Sequence, residues 1–453
     1  MQEGAVQFHI KMSIEELVTE LNPWWEDATA RVARSLPARR DLQPKLVEHL
    51  LHLSDRRAWA IAGPRQVGKT VMLRQTIDDL LDRDWPPSNI TYFDFSDARM
   101  TEGVLPNVIT DVVPSWVRED LPRVLLFDEI SRAINWDLWL KNVVDRGGFR
   151  VAVTDSSASL LRTGTRESGQ GRWDEVKLEG LSFLEAIGFI ASEGEEPRET
   201  LQRRPDLFDR YVKAGGYPAY LQIDDLDFVR RELREHVGDR AVVRDLVRSG
   251  VDVERARALF VFLVQESGTI FKVGERARQL SADTRSVHDW LRLLEEAALV
   301  SRLPRFAVRP SRRMLGDPKI YASEHGLIWA LSLPSARPAE VLAKVYEAVV
   351  FRHLREIARV WGRSLSYFRR RNDLEIDFVL ELPSKRIAVE VTSQRAVSES
   401  RIDRVRKAAQ ELGADSSIVI FGGITRAHRD AVGVLPLVEF LIDPAGAIGV
   451  EDS

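Results

Sequence analysis

The stretch "AWAIAGPRQVGKTVMLRQTIDDLL", Ala58 to Leu81, decides how the chain is read. Ala58 to Ala62 predict a short buried strand, and "TVMLRQTIDDLL" from Thr70 onward predicts a helix. Between them "GPRQVGKT", Gly63 to Thr70, fits the pattern G-x-x-x-x-G-K-[ST] in the strand-to-helix context that its chemistry needs. Glycines let the backbone wrap round phosphates, so that successive amides and the positive helix end face the anion. Gly63, Pro64, Arg65, Gln66, Val67, Gly68, Lys69, Thr70 and Val71 are the expected nucleotide-contacting residues. Lys69 is expected on the β and γ phosphates, and the Thr70 hydroxyl on a magnesium ion.

Further apolar runs, Ile90 to Phe95, Val124 to Phe127 and Phe149 to Val153, alternate with helical segments. Near-continuous apolar strands spaced by helices predict a parallel sheet covered on both faces. "RVLLFDEI" then places Asp128 and Glu129 at the carboxyl end of a buried strand, where ligands of such sheets bind. Asp128 is expected to position magnesium or its water, and Glu129 to orient and polarise the attacking water. "RVAVTDSSAS" ends in Asp155, Ser156 and Ser157, polar groups placed to sense a γ phosphate, with Ser156 the candidate sensor. Arg162, Arg166 and Arg172 follow; Arg172 is the candidate to reach a neighbouring subunit's nucleotide if the protein forms a ring or filament.

With 453 residues the chain is too long for one core, and its 44% hydrophobic and 30% charged residues are those of a globular protein. It has no cysteine, which excludes disulfides, thiolate metal sites and cysteine nucleophiles and is compatible with a reducing cytoplasm. Apolar runs are strand-sized and the first residues lack a signal-peptide pattern, so a cytoplasmic protein without a membrane span is expected. The net charge of -4 offers no global attraction to nucleic acid. Local basic patches do: Arg302, Arg305, Arg309, Arg312 and Arg313 lie between Ser301 and Gly316 without an acidic residue, and "FRRRN" begins at Phe368.

From Val253 to Val300 the pattern is helical. In "ADTRSVHDWLRLLEEAALV" the residues Val287, Trp290, Leu291 and Leu294 recur at helical spacing, leaving Arg285, His288 and Arg292 on the other side. A preceding helix near Lys272 to Leu280 and a basic strand pair in "SRLPRFAVRP" complete a predicted helix-turn-helix with a wing. Arg285, His288, Arg292, Arg302, Arg305 and Arg309 are the candidate DNA contacts; Asp289, Glu295 and Glu296 would oppose them.

Near the C-terminus "EIDFVLELPSKRIAVEVTSQ", Glu375 to Gln394, predicts a hairpin in which Asp377 shares a face with Glu375. Asp377 and Glu390, with Glu347 from the helix that starts this segment, form a possible second metal site. A nuclease of this kind wants a lysine two residues after the second carboxylate; Thr392 stands there, and the loss of such a contact costs about two to three orders of magnitude in rate.

"NPWW" (Asn22 to Trp25), "GPRQVGKT", "LLFDEI", "VTDSSASLL", "LEGLSFLEAI", "GGYP", "IYASEHGL" and "EIDFVL" with "IAVEV" occur in the order of one prokaryotic group. The chain resembles AAA-like P-loop ATPases that carry a winged helix and a C-terminal domain of restriction-endonuclease-like fold. That resemblance implies an α/β multidomain protein: a helical lead-in at 1–50, an ATPase domain at 51–225, a helical linker and winged helix at 226–335, and the endonuclease-like domain at 336–453. It implies an ATP-hydrolysing core, often with a DNA-linked or defence-related role. The residues themselves add the expectation of magnesium with ATP, of DNA, a partner protein or further copies as partners, and, from Thr392, of an inactive nuclease-like domain unless an arginine of "FRRRN" substitutes for the lysine. Asp155 stands where such proteins usually have glycine. Two other classes stay open: an ATP-gated metal-dependent nuclease, and a nucleotide-switched signalling module that binds a protein partner.

Overall fold

The computed structural model describes residues 13–34, 36, 38–52, 56–97, 99, 104, 106–155, 171–192, 194–241, 251–307, 316–361, 363–370 and 374–449. They group into two compact units, Met1–Gly63 with Gly68–Leu178, and Pro64–Val67 with Glu179–Ser453. Among the described residues no helix is long and apolar enough to cross a membrane.

The first unit is built on β1 (Ala58–Ala62), β2 (Ile90–Asp94), β3 (Arg123–Asp128), β4 (Phe149–Asp155) and β5 (Trp173–Lys177), ordered β2-β3-β4-β1-β5. Every neighbouring pair is parallel. Val124 to Phe127 are fully buried, as a strand covered on both faces requires. The helices of this unit include α1 (Ile14–Leu21), α2 (Leu42–Leu51), α3 (Lys69–Asp82), α4 (Pro106–Asp111) and α5 (Trp136–Arg146). Ser13 and Glu16 form a reciprocal capping box that starts α1.

"NPWW" finds its purpose at the edge strand β2. The side-chain amide of Asn22 donates to Tyr92 O at 2.9 Å and accepts from Tyr92 N at 2.7 Å, so it pairs with the backbone as a strand would. Trp24 and Trp25 both donate their indole N–H to Ile90 O, at 3.1 and 2.8 Å. These bonds occupy the open edge of the sheet.

The second unit opens with short helices, α6 (Phe183–Gly188), α7 (Pro197–Arg203), α8 (Leu207–Ala214) and α9 (Leu226–Glu232). Next come α10 (Val253–Gln265), β6 (Thr269–Ile270), α11 (Val273–Gln279), α12 (Thr284–Glu296), β7 (Val300–Leu303) and β8 (Lys319–Ala322). The three strands form an antiparallel sheet ordered β6-β8-β7. Among the described residues the partner of β7 is β8, with Val300 opposite Ala322; the end of "SRLPRFAVRP" lies outside the described residues. Beyond Leu303 the chain instead meets a later segment: Phe306 N donates to Tyr367 O at 2.6 Å and Tyr367 N to Pro304 O at 3.0 Å.

The C-terminal part of this unit contains α13 (Gly326–Ala330), α14 (Pro338–Val360), β9 (Ser364–Arg369), β10 (Glu375–Glu381), β11 (Arg386–Thr392), α15 (Glu399–Leu412), β12 (Ser416–Phe421), β13 (Ala427–Arg429), β14 (Val432–Pro436) and α16 (Leu437–Ile442). Its sheet is mixed, ordered β13-β14-β12-β11-β10-β9. Ile402, Val405, Ala409 and Leu412 of α15 pack with Ile376, Val379, Ala388 and Val419 in one apolar cluster. The sequence stretches that matched in order meet inside this unit. Buried Glu324 accepts from Gly216 N at 2.8 Å, Arg352 donates to the carbonyls of Gly180 and Leu181, and Arg355 pairs with Glu179 at 2.5 Å. A Cβ on Gly216 would stand 2.6 Å from Leu181 O, so glycine is needed for that approach.

Candidate nucleotide site and the acidic nest of the C-terminal sheet

The phosphate loop leaves the carboxyl end of β1 and enters α3 at Lys69. Gln66 at φ 66° and Gly68 at φ 97° take the left-handed region, which turns the loop back on itself before the helix starts. Lys69 is buried, and its ammonium donates to Gly63 O at 2.7 Å. Thr70 Oγ1 donates to Asp128 Oδ2 at 2.5 Å, and the Thr154 hydroxyl of β4 bonds to the other oxygen of the same carboxylate. Glu129 follows at φ 50°, a strained conformation for a glutamate, and its Oε2 is buried without a hydrogen-bond partner among the described residues.

These residues fit the phosphates and magnesium that the loop pattern implies. Lys69 opens the helix beside the loop, the Thr70 hydroxyl and Asp128 stand in contact, and a buried oxygen of Glu129 has no donor among the described residues. Asp94 lies level with Asp128 on β2, and burial raises its pKa first, with Asp128 adding to the shift. Thr154 and Asp94 escaped the sequence reading; Thr154 stood inside the quoted strand, and only its register beside Asp128 gives it a role.

Asp155 is buried and accepts from Ser131 N at 2.6 Å, so its carboxylate fixes the turn that carries Glu129. Ser156, Ser157, Arg162 and Arg166 lie outside the described residues. Arg172 lies at the start of β5, at the opposite end of the sheet from the phosphate loop, where its Nε donates to Asp145 at 2.8 Å. Within the second unit the Tyr220 hydroxyl donates to Gln66 at 3.3 Å.

The candidate DNA contacts are divided. Arg285, His288 and Arg292 are exposed on α12 as its apolar spacing requires. Arg292 is paired with Glu296 at 2.7 Å and Arg302 with Glu295 at 2.7 Å. Arg305 donates to Arg369 O at 2.5 Å, and Arg309 lies outside the described residues.

At the C-terminal hairpin the register that pairs Phe378 with Val389 brings Asp377 level with Glu390. Cations already meet these acids. Lys319 of β8 places Nζ 3.2 Å from Asp377, 3.3 Å from Glu347 and 2.9 Å from Glu375. The second oxygen of Asp377 accepts from Val391 N at 3.0 Å, and Tyr321 OH donates to Glu347 at 2.6 Å. Glu390 is held by Arg401 at 3.1 Å and Arg404 at 3.4 Å. Burial, with Asp377 nearby, pushes Glu347 up to about 7, and burial likewise raises Glu390 in spite of its arginines. Among the described residues no group of three or more His, Cys, Asp or Glu has the arrangement to hold a metal ion. Glu375 and Lys319 were not candidates from sequence, although Glu375 was expected on the face of Asp377.

Known proteins match the chain piecewise. Residues 55–187 match the family described as an AAA domain. This stretch is an AAA-type P-loop domain. Residues 205–337 and 342–440 match two families described as domains of unknown function, DUF8612 and DUF4143. An uncharacterized protein of Methanocaldococcus jannaschii is 24% identical over 83% of this chain and 82% of its own length. One from Haemophilus influenzae is 24% identical over 59% of this chain and 67% of its own. Among solved structures, the ORC2 protein of Aeropyrum pernix in ADPNP–ADP complexes covers 72% of this chain and 98% of its own at 13% identity and a TM-score of 0.39. A Walker-type ATPase of Pyrococcus abyssi covers 68% of this chain and 99% of its own, at 12% identity and a TM-score of 0.37.

Proposed function

We propose that the protein is a magnesium-dependent ATPase whose cycle of binding and hydrolysis controls its assembly and its grip on DNA or a protein partner. The contact between Thr70 and Asp128, with the unpartnered Oε2 of Glu129 beside it, carries this reading. Lys69 and the first amides of α3 bind and orient the phosphates of ATP. Thr70 and Asp128 are the residues that would hold magnesium, which when bound neutralises charge on the β and γ oxygens. Glu129 accepts a hydrogen bond from the attacking water and orients it toward the γ phosphate. Ser156 as a sensor and Arg172 as a donor to a neighbouring copy's nucleotide belong to the same proposal, as does action in the cytoplasm.

The three helices and three strands between Val253 and Ala322 support a winged-helix reading, and the mixed sheet after Pro338 supports an endonuclease-like one. Exposed Arg285, His288 and Arg292 make α12 the element that would meet DNA, with Arg302 and Arg305 following it and Arg309, outside the described residues, as a further candidate. The C-terminal sheet serves as scaffold and not as a cutting site, because its carboxylates are neutralised by side chains of the chain itself. A signalling module without DNA contact is the alternative should no duplex bind even at low salt.

The test measures phosphate release and equilibrium ATP binding on the full chain. Wild-type protein is expected to release phosphate only with magnesium, and Lys69→Ala to abolish release. Unchanged release by Lys69→Ala would overturn the assignment.

A further inference from the structure

Pro64–Val67 of the phosphate loop belong to the second unit, together with "GGYP" at Gly215 to Pro218. Val67 and Tyr217 are buried, and with Pro64, Leu299 and Glu324 they line a gap of about 10 Å³, room for no more than one water. The turn that carries the tyrosines is anchored from both sides. Gly216 N donates to Glu324 at 2.8 Å, and Gly216 O accepts from Leu181 N at 2.5 Å. Pro218–Tyr220 then form one tight helical turn, and the rings of Tyr217 and Tyr220 meet edge to face at 6.2 Å. Buried Tyr220 ends this turn with its hydroxyl 3.3 Å from Gln66 Oε1. Burial, with Glu232 nearby, raises the phenol above its ordinary pKa, so it stays protonated and donates.

Gln66 needs such a hold. It is not glycine, yet it takes φ 66°, a conformation that persists only where the surroundings fix it. Relaxed to an ordinary backbone angle, it would redirect the neighbouring amides, which are the groups that converge on phosphate oxygens. We propose that Tyr220 is a positioning residue of the nucleotide site: its hydroxyl holds Gln66, and through Gln66 the phosphate loop, in the form that receives the phosphates. This role presupposes the ATP site proposed above. A loop set before the nucleotide arrives loses less freedom on binding, so the hydroxyl acts on affinity and leaves the rate at saturation unchanged.

The experiment measures equilibrium ATP binding, KM and kcat on the full chain with magnesium, and a thermal melt without nucleotide checks that each variant is folded. Tyr220→Phe keeps the ring and removes only the hydroxyl. Gln66→Asn tolerates the left-handed backbone but is one methylene shorter, which breaks the contact. Each is expected to weaken ATP binding roughly three- to tenfold, and Tyr220→Phe to raise KM by the same factor with kcat kept. Tyr220→Phe/Gln66→Asn should bind no more weakly than the weaker single variant, because both remove one bond. Wild-type affinity in Tyr220→Phe overturns the role, as does a fall in kcat with KM unchanged, or two losses that multiply in the double variant. Should Tyr220→Phe fail to fold, Gln66→Asn reads the same bond from the loop side, and wild-type affinity there overturns the role equally. If wild type binds no ATP, the nucleotide site itself fails and the role of Tyr220 with it; if wild type binds ATP and Tyr220→Phe binds it as well, only the role of Tyr220 fails.

Discussion

Asp128 with Glu129, and Asp377 with Glu390, begin as the same kind of feature: carboxylates on, or one residue beyond, the strands of two different sheets. Their surroundings then part. Asp128 accepts from the hydroxyls of Thr70 and Thr154, and Glu129 keeps a buried oxygen with no partner among the described residues. Asp377 meets Lys319, and Glu390 meets Arg401 and Arg404. Acid placement alone does not separate the two; the supply of counter-charge does. Carboxylates that the protein has already neutralised have little left to offer a cation, whereas hydroxyl-bonded ones retain their charge for it.

The sharpest way to break this comparison is Glu129→Gln, which keeps size and removes the base. Phosphate release should fall roughly 10²- to 10⁴-fold while ATP binding persists. A variant that still hydrolyses at the wild-type rate would put Glu129 on the same structural footing as Glu390. Next in size, Lys319→Ala leaves three carboxylates facing one another and should cost about 3–5 kcal/mol by chemical denaturation. Asp377→Ala/Lys319→Ala, which relieves part of that repulsion, should recover some of the loss.

Acid separates the two regions by another route. Burial, reinforced by Arg352, pulls His353 of the second unit down to about 3 from its ordinary 6.5. The unfolded chain takes up that proton first, so the stability contributed by neutral His353 is complete above pH 6.5 and is lost as pH falls toward 3. At its steepest the loss is roughly 1.4 kcal/mol per pH unit, and His353→Gln should flatten the stability profile in that window. The smallest effect is expected at α12. If it meets DNA, Arg285→Ala should weaken binding evenly across sequences and lower the salt slope by about 1. An unchanged slope would remove Arg285 from the interface.

What the sequence disclosed follows from how local each feature is. The strands expected at Ala58–Ala62 and Ile90–Phe95 match β1 and β2 closely because a strand buried on both faces is apolar at every position. β5 was missed: "WDEVK" alternates polar and apolar residues at the sheet edge, and its pairing with β1 is set by residues far away in sequence. The phosphate-loop pattern could be read because its glycines, lysine and hydroxyl lie within one short stretch, and Asp128 because an apolar strand runs straight into it. The cation of the acidic nest was not, since nothing near "DPKIYA" shows that Lys319 will be buried against carboxylates from two later elements. The pairing of β7 with β8 was hidden for the same reason: 15 residues, 304–318, lie between the two strands, and the bridge from Arg305 to Tyr367 joins segments further apart still.

Asn22, Trp24 and Trp25 complete β2 from outside the sheet. A side-chain amide that copies a peptide group satisfies the strand at one point without offering a further strand edge beyond it, so the sheet is terminated rather than extended. The seal needs both β2 and the segment Asn22–Trp25 in place, so it is absent from any chain in which that segment is undocked. A chain in which that segment is undocked presents a bare strand edge to its neighbours, and Asn22→Ala should therefore lower the yield of refolding at high concentration.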